Sequence, residues 1–399
     1  MAKLRVGILT AGGIAPCLSA SIGCLIGRYG QVAPEVEIIC YRYGYGGLLG
    51  GDYLVVDKKI CAAAGCLSAF GGSAIGNSRI KLANGDDCRR RGLIGDGEDP
   101  HAVAIRRLME DRIEILHTIG GDDTNAVAAQ LAAKLCGDGH PIAVVGLPKT
   151  IDNDVFPITL TLGADTAAQE SAAFFDHIAN ECTTAPRMLI VHEVMGRHCG
   201  WLTASAAIRY RNLLSEKKFL PEIGLDRRRW DIHGVYIPEL QWDMAAEIDR
   251  LRRIMETVGN VNLFVSEGAG LETILNEMEA EGADIPRDAF GHVKLDRINP
   301  GKWFGEHLAA HIGAEKTLVQ KSGYFARSSP PNAVDLRLIQ ESASMAVDCA
   351  LAGKSGVVGR DVELGGALSL IDFGRISGGK PFDSKCEAYV RLVSEIGQA

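Results

Sequence analysis

Two short stretches hold most of the side chains in this chain that could do chemistry. One is Gly120-Gly121-Asp122-Asp123-Thr124; the other is Pro148-Lys149-Thr150-Ile151-Asp152-Asn153-Asp154. Each follows an apolar run, residues 113–119 and 142–147. Glycines let backbone amides approach a phosphate, and carboxylates hold a hard metal ion through oxygen. Asp152 and Asp154 are two residues apart, so on an extended turn they face the same side. One could then accept a hydroxyl proton while the other holds metal. Lys149 beside them supplies positive charge for a phosphoryl group in transit. A plain strand-to-helix turn would need only one capping Asp or Thr, and Asn153-Asp154 alone would make an ordinary Asx turn. Four carboxylates, a lysine and two hydroxyls on two adjacent loops exceed both needs and point to phosphoryl transfer.

Such loops must be held by a sheet. Apolar runs at 4–10, 36–41, 114–119, 141–147, 188–194, 235–237, 262–266 and 368–373 read as strands. Between them apolar residues recur at helical spacing. Val127, Leu131 and Leu135 share one face, as do Ala167, Ser171, Phe174, Phe175 and Ile178. This alternation predicts a doubly wound α/β fold with mostly parallel strands, whose ligand sites lie beyond the carboxyl ends of the strands. Many of the 47 glycines fall where strands should end. The charged stretch 211–231, with Pro221, is the best candidate boundary, dividing the chain into lobes at 1–210 and 211–399.

With 399 residues, 47% of them hydrophobic, the chain can bury a large core. A net charge of −8 argues against a general nucleic-acid or membrane-surface binder. Eleven scattered cysteines, with no Cys-x-x-Cys pair, read as reduced thiols of a cytoplasmic protein. The first strand begins too early for a signal peptide, and no run of about eighteen apolar residues suggests a membrane span.

In the order and spacing of its Gly-Gly-Asp, Thr-Ile-Asp-Asn-Asp and Met195-Gly196-Arg197 segments the chain resembles the phosphofructokinases. The resemblance runs from about residue 4 to the end. It implies a phosphofructokinase-like fold of two Rossmann-like lobes and phosphorylation of fructose 6-phosphate at O1. Asp123 and Lys149 stand where ATP-dependent members carry glycine, which resembles the pyrophosphate-dependent branch. A carboxylate at Asp123 would repel an α-phosphate of ATP, and Lys149 would neutralise a phosphate leaving group. By the same resemblance Asp152 is the base, acting with Lys149 and Asp123. Gly12, Gly13, Arg79, Asp123 and Thr124 would hold pyrophosphate, with Lys81 a further candidate. Asp122 and Asp154 would bind Mg²⁺. Thr150, Ile151, Asp152, Met195, Gly196, Arg197, Glu267, Tyr324 and Arg327 would hold the sugar phosphate. Tyr324 replaces the family's histidine and so donates a hydrogen bond without adding charge. The family also takes an arginine from a neighbouring subunit, which implies a homodimer or homotetramer. Arg187 lies one residue out of register for that role.

Two alternatives remain at this level: an ATP-dependent kinase of the same fold, and a non-catalytic regulatory subunit. Asp123 and Lys149 argue against the first. Asp122, Asp152 and Asp154 argue against the second. The run 374–380 has the spacing of a P-loop, but Pro381 replaces its metal-binding Ser or Thr. His192, His198 and Cys199 fit no zinc spacing and read as packing or local hydrogen-bonding residues.

Overall fold

The computed structural model describes residues 3–280, 282, 285 and 298–398. Its strands are β1 (Arg5–Thr10), β2 (Glu37–Tyr41), β3 (Tyr53–Val55), β4 (Ile115–Gly120), β5 (Ala143–Pro148), β6 (Met188–Val194), β7 (Gly234–Tyr236), β8 (Asn260–Ser266), β9 (Lys316–Lys321), β10 (Gly356–Asp361) and β11 (Ala367–Ile371). They build two compact units. Met1–Ala167 and Arg327–Lys380 form the first; Ala168–Ala326 and Pro381–Ala399 form the second. The chain thus passes between units three times rather than once near residue 210. The charged stretch around Pro221 is no linker. It lies inside the second unit, where the Tyr210 hydroxyl donates to Trp230 O at 2.6 Å and Arg211 grips Asp231 with two hydrogen bonds.

The first unit carries a seven-stranded sheet in the order β11-β10-β5-β4-β1-β2-β3. Its inner strands run parallel, and β3 and β11 pair antiparallel at the two edges. Every residue of β4 and β5 is buried, which explains their continuous apolar runs. From β1 the chain goes to β2 on one side, and later to β4 and β5 on the other. The reversal between β1 and β4 opens a crevice at their carboxyl ends, the usual ligand position in such sheets. The helix Asp122–Gly137 follows β4 directly and buries Val127, Leu131 and Leu135, as its spacing predicts.

The second unit carries four parallel strands in the order β7-β8-β6-β9. β6 and β8 are wholly buried. His192 of β6 and Phe264 of β8 form an aromatic cluster with Phe175 and Tyr210. His192 is a packing residue, stacked on Phe175 and bonded through Nε2 to Ser322 Oγ at 2.8 Å. Burial lowers its pKa to about 3, so it stays neutral.

Strands β3, β9 and β10 escape the sequence reading for local reasons. β3 is three residues long and largely exposed. β9 begins and ends in lysine. β10 has two glycines among its six residues. Among the described residues no helix is long and apolar enough to cross a membrane.

Candidate functional site

In the first unit, three loops leaving the carboxyl ends of β1, β4 and β5 meet at Lys149. This lysine is 4% exposed. Its Nζ donates to Gly13 O at 2.6 Å, and its backbone N donates to Gly120 O at 2.8 Å. Gly12 has φ +92°, and a Cβ there would lie 3.0 Å from Lys149 Nζ and 3.9 Å from Thr124 Oγ1. A Cβ at Gly13 would lie 3.6 Å from the Arg79 guanidinium. Gly12, Gly13, Arg79, Thr124 and Lys149 therefore occupy one place. Asn77, given no role of its own from sequence, fixes the glycine turn by donating to Gly12 O at 2.6 Å.

Burial lowers the Lys149 pKa to about 8, and Arg79 pushes the same way, against the pull of Cys17, Asp152 and Asp154. The sign of the consequence follows. The ammonium is present below pH 8 and lost above it, whereas in the unfolded chain it persists to about 10.5. Between these values the unfolded chain binds more protons, so the lysine's contribution to stability rises with pH. We expect phosphoryl-transfer activity to fall above pH 8 while folding stability gains from this group. Lys149→Arg, which stays charged, should remove the added alkaline loss of activity. Identical alkaline limbs in the two proteins would exclude Lys149 as their source.

Asp123 does not stand alone. Its Oδ2 lies 2.5 Å from Lys81 Nζ. Asp122, beside it in the first turn of the helix Asp122–Gly137, has a raised pKa. Burial is the main cause, and repulsion from Asp123 and Asp154 adds to it. Such gathered carboxylates suit a cation. Among the described residues, however, no three His, Cys, Asp or Glu side chains converge as a metal cage. One or two carboxylates completed by phosphate oxygens is the usual way Mg²⁺ is held, so the donor set fits that ion.

The turn carrying Asp152 and Asp154 is locked by the residue between them. Asn153 is buried at φ +55°. Its Oδ1 accepts from Thr161 N at 2.9 Å and its Nδ2 donates to Thr159 O at 3.0 Å. The Thr161 hydroxyl reaches back to Thr150 O at 2.7 Å, and Asp152 N donates to Thr150 Oγ1 at 3.1 Å. Sequence reading treated Asn153 as turn chemistry and missed this clamp. The signal available was an Asn, tolerant of positive φ, between two acids. The Ile151 side chain is buried, so any contact it makes to a polar ligand is through its backbone.

The second unit gathers a separate group at the carboxyl ends of β6, β8 and β9. Glu267 N donates to Val194 O at 2.8 Å, and Gly196 N points to Glu267 Oε1 at 3.5 Å. Ser266 Oγ donates to Gly196 O. A Cβ at Gly268 would strike Arg197 O at 1.8 Å, so that glycine is required. A Cβ at Gly323 would lie 2.8 Å from Met195 Cγ, which brings the residue before Tyr324 against Met195. Burial raises the Glu267 pKa, and Arg197 and Lys321 oppose the rise. The Tyr324 side chain is 74% exposed. Tyr324 and Arg327 share the helix Gly323–Ser328, and the division between units falls just before Arg327. Arg187 is engaged within its own chain, donating to Ile312 O at 2.9 Å and Gly313 O at 2.6 Å at the end of the helix Pro300–Ile312.

The chain is similar to known proteins over almost its whole length. The family model described as Phosphofructokinase matches residues 5–350. A protein of Methylotuvimicrobium alcaliphilum named pyrophosphate–fructose 6-phosphate 1-phosphotransferase is 57% identical, over 99% of this chain and 97% of the relative. One of the same name from Methylomonas methanica is 56% identical, over 99% and 96%. The crystal structure of a pyrophosphate-dependent phosphofructokinase from Marinobacter aquaeolei shares the fold with a TM-score of 0.70 at 19% identity, covering 98% of this chain and 91% of that one. With a matching family model, near full-length relatives and the fold in agreement, this chain belongs to the phosphofructokinase family, on the branch whose relatives bear the pyrophosphate-dependent name.

Proposed function

We propose that this chain transfers a phosphoryl group between pyrophosphate and the 1-hydroxyl of fructose 6-phosphate, giving fructose 1,6-bisphosphate and phosphate, in both directions. The observation that carries the reading is Lys149, a buried lysine tied to the glycine loop after β1 and beside Thr124. A preorganised cation there can stabilise a departing phosphate. The names of the near full-length relatives support the same reading.

In this reading Gly12, Gly13, Arg79, Thr124 and Lys149 hold pyrophosphate. The Asp123–Lys81 pair borders the donor and leaves Lys81 neutralising a carboxylate as well as a phosphate. Asp122 and Asp154 would hold Mg²⁺, which when bound supplies charge neutralisation to the phosphates. Asp152 takes the proton of the acceptor hydroxyl, its backbone fixed by Thr150 and the Asn153 turn. Met195, Gly196, Arg197, Glu267, Tyr324 and Arg327 hold the sugar phosphate, Glu267 accepting from sugar hydroxyls. A homodimer or homotetramer is part of the proposal. The purified chain should form fructose 1,6-bisphosphate with pyrophosphate, and should release fructose 6-phosphate from the bisphosphate and phosphate. Turnover with ATP but not pyrophosphate would overturn it.

Arg327→Ala should weaken the sugar phosphate far more than pyrophosphate. Loss of a charge-assisted contact costs roughly 1.5–3 kcal/mol. The KM for fructose 6-phosphate is expected to rise about tenfold to a hundredfold, with that for pyrophosphate nearly unchanged. Equal losses for both substrates would assign Arg327 to structure.

A further inference from the structure

The run 374–380, with its P-loop spacing and no P-loop continuation, lies beyond the stretch matched by the family, yet it returns to the candidate site. It is pinned at both ends. Upstream, the Arg375 guanidinium forms two hydrogen bonds to the buried Asp361, at 2.7 and 3.0 Å. Ile376 packs on Val155, Ile158, Val357 and Ile371. In the middle, Ser377 and Phe156 exchange backbone hydrogen bonds of 3.2 and 2.8 Å. Downstream, Lys380 N donates to Asp154 O at 2.9 Å, and Lys380 Nζ donates to Ile158 O at 2.6 Å. Between these anchors Gly378 faces Asp122. A Cβ at Gly378 would lie 2.0 Å from Asp122 Oδ2 and 2.6 Å from its Cγ.

We propose that residues 376–380 form a further wall of the metal–pyrophosphate site, and that Gly378 is a positioning residue that sets the Asp122 carboxylate. One backbone segment touches both residues assigned to the metal, the Asp122 carboxylate through Gly378 and the Asp154 main-chain carbonyl through Lys380. Because the segment is held on both sides, it cannot retreat from a side chain added at 378. The carboxylate of Asp122, a short side chain that can rotate, gives way instead. A substitution at Gly378 therefore displaces a ligand without dismantling the fold. The inference rests on the assignment of Asp122 to the metal made above.

The test is direct Mn²⁺ binding to the full chain, read by electron paramagnetic resonance of the free ion, with and without inorganic pyrophosphate. In Gly378→Ala the Mn²⁺ dissociation constant should rise about tenfold, the usual scale for disturbing a metal ligand's support. The melting temperature and the KM for fructose 6-phosphate should hold, and Gly27→Ala, whose added Cβ meets nothing within 4 Å, should bind Mn²⁺ as wild type does. Unchanged Mn²⁺ affinity in Gly378→Ala, or no Mn²⁺ binding by wild type in either condition, overturns the inference. Weakened Mn²⁺ binding in a chain that lacks pyrophosphate activity would uphold Gly378 while removing the proposed reaction. Should Gly378→Ala fail to fold by circular dichroism, Lys380→Met carries the test. It removes the bond to Ile158 O and should weaken Mn²⁺ binding severalfold; wild-type affinity there overturns the inference.

Discussion

Asp152→Asn is expected to cut turnover about 10²–10⁴-fold, the usual loss on removing a general base, while fructose 6-phosphate still binds. Asn keeps the size and shape of the side chain but cannot take the proton of the acceptor hydroxyl. The surroundings favour a clean result. The Asp152 amide is held by Thr150 Oγ1, and the turn is clamped by Asn153 and Thr161 through bonds that do not use the Asp152 carboxylate. The backbone should therefore stay in place. Steady-state rates in both directions and calorimetric binding of fructose 6-phosphate check the prediction. Near-normal turnover would remove Asp152 from the base role, and lost sugar binding at equal cost would make it a binding residue.

The second large effect concerns the donor. Wild type is expected to use pyrophosphate and to show little or no activity with ATP. Asp123→Gly should relieve repulsion at the position of an α-phosphate, and the structure adds a reason. Asp123 is now ion-paired with Lys81 at 2.5 Å, so the variant also removes that pair and leaves the Lys81 charge less neutralised beside the donor. Lys149→Gly removes the buried ammonium that bonds Gly13 O, and should strongly reduce pyrophosphate turnover. The double variant should lose pyrophosphate activity and gain a measurable rate with ATP. The gain should be small, because Ile14 and Cys17 in the first loop also depart from the ATP-dependent pattern. The two changes should be non-additive, since both alter one loop cluster. Rates with both donors across wild type, the two single variants and the double decide the matter. Robust ATP use by wild type would refute the donor assignment and leave the fold untouched.

Periodicity and apolar runs were enough for the class of fold and for most of the central strands. β1, β2, β4, β5, β6 and β8 are almost wholly buried and therefore carry mostly apolar residues, a signal a short window can read. The helix Asp122–Gly137 was legible because one stripe, Val127, Leu131 and Leu135, faces the sheet. The two candidate loops were legible because phosphate and metal chemistry needs glycine, carboxylate and lysine together, more than turns alone require. The division into units was not. It depends on the strand β10 returning after more than two hundred residues to pair with β5, a contact between segments that carry no local mark of each other. Likewise only tertiary structure decided what the charged side chains do. Lys81 answers Asp123, Arg187 closes a helix end, and Gly378 lies against Asp122, each across a long stretch of chain. Residue type and spacing state which groups can do chemistry. Which of them meet is settled by sheet order and by packing, since a hydrogen bond or a close glycine contact acts over a few ångströms and leaves no periodic trace in the sequence.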